Sequence, residues 1–106
     1  MYIRFSGLQT KKLIDREITE TIILENCNLQ KGDLLPIMID NTVLSDFQCR
    51  ITGVRKASVD EITCYDLRSM GFKDFKEFRQ YLKWFHGLEE EQLFYIIFFE
   101  LYSRKL

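Results

Sequence analysis

Phe94-Tyr95-Ile96-Ile97-Phe98-Phe99-Glu100-Leu101-Tyr102 is the stretch whose reading decides the fold. In an extended chain Leu93, Tyr95, Ile97, Phe99 and Leu101 fall on one side and Phe94, Ile96 and Phe98 on the other, so a strand from Gln92 to Tyr102 needs cover on both faces. A helix precedes it. Asp74 with Glu77 three residues on has the spacing of a helix start, Phe75, Phe78, Leu82 and Phe85 recur on one face, and Gly87 marks the stop. Upstream again, Ser58-Val59-Asp60-Glu61 has capping-box spacing and predicts a short helix to Met70, closed by Gly71.

The first half of the chain reads mainly as strands. Phe47, Cys49, Ile51, Gly53 and Ala57 alternate with polar residues, Leu34 to Ile39 forms a strand in which Pro36 removes a ladder donor and marks an edge or a bulge, and Asp40-Asn41 turns between the two. Ile18 to Leu24 is rich in β-branched residues, and Tyr2 to Ser6 alternates before Gly7. Between those two lies a charged segment, Leu8 to Glu17, with one narrow apolar strip and a helical reading. Helices separate only some strands, which predicts an α+β fold: a small β-barrel of five to six mainly antiparallel strands with two to three flanking helices. The 106 residues make a single domain, 1–106.

Composition narrows the functions. With 46% hydrophobic and 29% charged residues the chain has the make-up of a folded globular domain, and a net charge of −1 gives no global basic field for a phosphate backbone. No apolar run reaches the ~20 residues of a membrane span, and the first residues lack the apolar core of a signal peptide. Cys27, Cys49 and Cys64 are three cysteines at spacings that fit neither a disulfide framework nor paired zinc ligands, so free thiols in the cytoplasm are expected. His86 is the single histidine, which leaves little for a zinc site or a Ser-His-Asp triad; no metal and no cofactor is expected.

Several segments together resemble the ASCH family of the PUA-like superfamily. They are the charged helix leading into a Thr-containing strand, Lys31-Gly32-Asp33-Leu34-Leu35 against a K-x-G-D-hydrophobic step, Ser58 to Ile62, Met70-Gly71-Phe72 before an aromatic helix, and the terminal Phe94 to Leu101. The resemblance covers nearly the whole chain and implies a PUA-like barrel whose cleft holds a nucleotide or an RNA base. In one branch, the bacterial N(4)-acetylcytidine amidohydrolases, a Lys and a Thr from a G-x-K-T-x-T-x-R strand and a Glu before a Gly hydrolyse an acetamide. Here Thr19 and Thr21 match that strand, but Ile18 stands at the Lys, Ile23 at the Arg and Met70 at the Glu. A threonine hydroxyl without a base or a cation is a weak nucleophile, so these replacements argue against hydrolysis.

The resemblance thus implies a non-catalytic module that binds RNA, a nucleoside or a nucleotide, as a monomer or a weak homodimer. Its binding residues would be Thr19, Thr21, Lys12, Arg16 and Tyr65: hydroxyls for a base edge, cations for phosphate, a ring for stacking. The alternatives are an amidohydrolase for an N-acylated cytidine with substituted groups, in which Thr21 would be catalytic, and a degenerate fold used as a protein-interaction module. Each residue also has a plainer reading. Thr19 and Thr21 suit any strand, Lys11, Lys12 and Arg16 suit a solvated helix face, and His86 suits a helix C-terminus. Tyr81 and Trp84 would form a core margin, and Glu89-Glu90-Glu91 a solvated loop.

Overall fold

The computed structural model describes residues 1–24, 28–87 and 93–103, and the Glu89-Glu90-Glu91 run and Cys27 lie outside them. Five strands, β1 (Ile3–Phe5), β2 (Glu20–Ile23), β3 (Leu34–Ile39), β4 (Thr42–Ala57) and β5 (Phe94–Ser103), form one sheet in the order β1-β3-β4-β5-β2, nearly closed into a barrel. β1 pairs with β3 in parallel and every other pairing is antiparallel. The helices are α1 (Thr10–Ile14), α2 (Cys64–Ser69) and α3 (Phe75–Phe85). The α+β barrel expected from the sequence is the fold observed.

β5 is covered on both faces, as its double apolar pattern requires. Phe94 and Ile96 pack with Phe78 and Leu82 of α3 and with Leu67 and Met70 at α2, whereas Ile97 and Phe99 pack inside the barrel with Ile3, Phe5 and Ile51. Phe5 and Phe99 meet at 5.7 Å, and Phe78 meets Phe94 edge-on at 6.5 Å. Leu13 of α1 is fully buried in the barrel cluster, whereas Leu8 and Ile14, the other apolar residues of that charged segment, are exposed, so only one residue of the expected strip packs on the barrel.

Two irregularities shape the long β4, which runs from Thr42 rather than Phe47. The ladder to β3 shifts between Pro36 and Ile37, where proline has no N–H to give, so the bulge reading of Pro36 holds; β3 lies between β1 and β4, but its pairing with β1 begins only at Ile37 and leaves Pro36 unpaired on that side. A second shift, between Ile51 and Gly53, lets β4 bend against β5, and a side chain at Gly53 would meet the Phe98 ring at 3.6 Å.

Helix boundaries differ from expectation. The charged segment is a short 3-10 turn, Gly7–Gln9, followed by five residues of α1, and Arg16 ends it in the left-handed region at φ 62. The predicted helix from Ser58 to Met70 is two pieces. A 3-10 turn, Val59–Glu61, is closed by the Glu61 carboxylate accepting from the Ser58 N–H at 3.0 Å; Ile62 is extended, and α2 then restarts from Thr63. That second start carried a signal in Thr63-Cys64-Tyr65-Asp66: the Asp66 N–H donates to Thr63 Oγ1 at 3.1 Å, and the Thr63 N–H donates to Asp66 Oδ2 at 3.0 Å. α3 matches its expected start, with Asp74 accepting from the Glu77 N–H at 2.9 Å.

Candidate functional site

A cavity of about 660 Å³ opens between the N-terminal turn with α1 on one side and α3 on the other. Its size is that of a small-molecule site. Ser6, Leu8, Gln9 and Lys12 line one wall, Gly71 and Phe72 the floor, and Glu77, Gln80, Tyr81, Trp84 and Phe85 the other wall. α3 can face two ways because its residues form two stripes: Phe78 and Leu82 point to the core, while Tyr81 and Trp84, spaced three apart and offset around the helix, point to the cavity. Trp84 is 82% exposed, so it is not the core margin that its helical position suggests. Tyr81 does join the core, with its ring 4.8 Å from Phe72 and stacked 5.0 Å from Phe85.

Gly71 fixes the floor. Its φ of 86 disfavours a side chain, and a Cβ there would come within 3.0 Å of Ile18. Lys12 reaches across the cavity mouth, and its ammonium donates to the Gly71 carbonyl at 2.9 Å.

Behind the wall runs a short polar chain. The Thr21 hydroxyl hydrogen-bonds the Tyr81 phenol, whose oxygen lies 3.1 Å from His86 Nε2. Burial pushes the phenol well above its usual range, against the weaker opposing effect of Thr21. Burial, with the nearby Arg4 charge, brings the His86 imidazole down to about 4. His86 is therefore neutral at pH 7 and acts as a hydrogen-bond partner to Tyr81, not as the charge at a helix end.

A second polar group lies on the opposite face of β2. Glu20 is 2% exposed and meets Asp66 and Ser69 of α2, and its Oε1 has no partner. Burial, reinforced by the bond to Asp66, raises its carboxyl to about 7. For Asp66 burial acts upward too, but the Thr63 backbone and hydroxyl, the Glu20 bond and the Arg55 guanidinium, 3.4 Å away, outweigh it and hold that carboxyl below the ordinary range. No third His, Cys, Asp or Glu joins this pair in a metal-type cluster among the described residues.

The structure brings only part of the sequence-derived residue set together. Lys12 lines the cavity, and Thr21, 3% exposed, stands behind it through Tyr81. Thr19 is exposed, and its N–H donates to the Ser69 carbonyl at 2.8 Å. Arg16 is exposed at the end of α1, and Tyr65 is 74% exposed on α2; neither lines the cavity. Ile18 and Met70, at the places of the amidohydrolase Lys and Glu, are both buried. Sequence reading missed Glu20 because a lone Glu between two Thr residues of a strand reads as solvent-facing, and it passed over Gln80 because polar helix positions carry no periodic signal.

These features define the class: an α+β barrel with a cleft between barrel and helices. Among solved structures the chain is similar to the ASCH domain from Lactobacillus crispatus JV V101, with a TM-score of 0.64 at 15% identity over 94% of this chain and 80% of that one. The chain therefore has the fold of an ASCH domain. No family model and no curated relative matches the sequence. No helix among the described residues is long and apolar enough to cross a membrane.

Proposed function

We propose that the protein is a non-catalytic ASCH/PUA-like module that binds an RNA base, a nucleoside or a nucleotide in the cavity between α1 and α3. The observation that carries this reading is the cavity wall itself: the exposed Trp84 with Tyr81 and Phe85 beside it, facing Lys12 across the opening. Base-on-ring stacking contributes about 1–3 kcal/mol per base, and a single ammonium suits one phosphate. Gln9, Gln80 and Ser6 supply donors and acceptors for a base edge. Thr21 contributes through Tyr81, and Arg16 and Tyr65 would serve only a longer strand that leaves the cavity.

Hydrolysis is disfavoured on the same geometry. Thr21 and Glu20 are consecutive on a strand, so their side chains point to opposite faces, and the partner of the Thr21 hydroxyl is a phenol pushed away from ionisation. The second reading, a protein-interaction module, is favoured by Leu8 and Trp84, 96% and 82% exposed at the cavity rim. The unpaired Cys49 and Cys64 suit a cytoplasmic protein.

NMR titration with cytidine, adenosine, their monophosphates and short single-stranded RNAs tests the reading. Shifts at Gly71, Tyr81 and the Trp84 indole support it, and a weakening of about tenfold or more in Trp84→Ala is expected. No shift at millimolar ligand would leave the interaction module as the better account.

A further inference from the structure

Glu20 and Asp66 meet on the α2 side of β2, both buried. Two carboxyls in direct contact cannot both be ionised without mutual repulsion. Asp66 holds the donors that favour an anion: the Thr63 N–H and hydroxyl, each 3.0 Å from Oδ2, and the Arg55 guanidinium at 3.4 Å. The proton therefore belongs on Glu20, whose O–H donates to Asp66, with Ser69 as its other neighbour. The remaining Glu20 oxygen, Oε1, is buried with no partner. A neutral carbonyl oxygen tolerates that; an anionic one needs donors that are missing here.

Polar ties join β2 to α2 at this seam beside the packing of Ile22 with Leu67 and Met70. One is the Glu20–Asp66 contact and another is the Thr19 N–H to Ser69 carbonyl bond. The groups facing Glu20 are Asp66 and Ser69 from α2 and Arg55 from β4, while its register partner on β5 is the uncharged Phe98. Arg55 lies over the Phe98 ring at 5.8 Å and is tied to Asp66, so it stabilises the Asp66 anion first.

We propose that the Glu20–Asp66 pair is a proton-operated clasp between β2 and α2, closed while Glu20 carries its proton and released when the proton leaves. α2 runs through Met70 into Gly71 and Phe72, so release loosens the helix that leads into the floor of the cavity, while Lys12 still holds the Gly71 carbonyl. The rise of the Glu20 carboxyl toward neutrality puts this transition near physiological pH. The clasp does not depend on what occupies the cavity.

Amide hydrogen exchange on the unliganded protein, expressed as protection factors from pH 5 to 8.5, tests it. The seam amides are Thr19, bonded to the Ser69 carbonyl, Met70, bonded to that of Asp66, and Phe72, bonded to that of Leu67. Between pH 6 and 8.5 their protection should fall about tenfold relative to β4–β5 ladder amides near Cys49 and Leu101, from linkage between an ordinary open-state carboxyl and the raised closed-state one. Glu20→Gln, neutral at every pH and still a donor to Asp66, should abolish that fall. Seam amides that track the ladder at all pH values, or a Glu20→Gln variant with the same response as wild type, overturn the proposal. Carboxyl carbon shifts of Glu20 in the wild-type protein give a reading that needs no variant, and a midpoint in the ordinary glutamate range also overturns it.

Discussion

His86 Nε2 lies 3.1 Å from the Tyr81 hydroxyl, so a helix-ending imidazole and a cavity-lining phenol share one hydrogen bond in a largely apolar setting. That setting, with the Arg4 charge nearby, makes the imidazolium costly.

The pH dependence of stability follows from two opposed groups. His86, lowered from 6.5 to about 4, contributes stability that is present above pH 6.5 and is lost as pH falls toward 4. Glu20, raised from 4.5 to about 7, contributes stability that is present below pH 4.5 and is lost as pH rises toward 7. Each shift corresponds to roughly 3 kcal/mol at most, so the two nearly cancel and wild-type stability is flat from about pH 4 to 8. Chemical denaturation should show stability falling with alkali in His86→Gln and falling with acid in Glu20→Gln. Asp66 adds a further loss only at more acid pH, since its carboxyl is held low.

Phe78, fully buried between α3 and β5, anchors the outer core. Phe78→Ala should lower unfolding free energy by about 3–5 kcal/mol, measured in urea. A loss under about 1 kcal/mol would mean that the helix does not pack on β5 as described.

Trp84→Ala should separate binding from stability. With Trp84 82% exposed, its removal should change stability by no more than about 0.5 kcal/mol while the proposed base binding weakens about tenfold or more. A large drop in Tm would show that the ring packs against the cavity wall instead of awaiting a ligand.

The two described thiols should differ sharply in reactivity. Cys64 is exposed, and Cys49 is fully buried in the barrel with burial raising its thiol to about 12. Timed maleimide labelling of the native protein, read by peptide mass mapping, should modify Cys64 promptly and Cys49 only on unfolding. Equal rates would contradict the buried setting of Cys49.

Much of the fold was legible because its signals are periodic or positional. The double apolar face of β5, the Phe78/Leu82 stripe, the Asp74 start and Pro36 each report a local constraint that tertiary packing keeps. The failures share a cause too. The break at Ile62 and the end of α1 at Ile14, with Arg16 turning left-handed just beyond it, depend on single backbone conformations that residue type does not dictate for Ile or Arg. Of the binding residues expected from the sequence, Lys12 lines the cavity and Thr21 touches its wall, but Tyr65 faces away, because which side of α2 is exposed is decided by the restart at Thr63. Glu20 was invisible for a different reason: strand alternation cannot say that a charged residue will be covered by a helix more than forty positions later.

The pairing of β2 with β5 joins residues about 75 positions apart, Thr21 against Ile97 among them. Contacts at such range form late, because closing the intervening loop costs entropy before any bond rewards it. β3 and β4 are joined by a tight turn and can pair as soon as both exist, and β4 offers its other edge to β5 once that strand is made. During synthesis β2 must therefore wait without a sheet partner for nearly the rest of the chain. The strand that carries both Thr21 and Glu20 can pair only once β5 exists, so the polar groups behind the cleft wall are expected to come together late in folding.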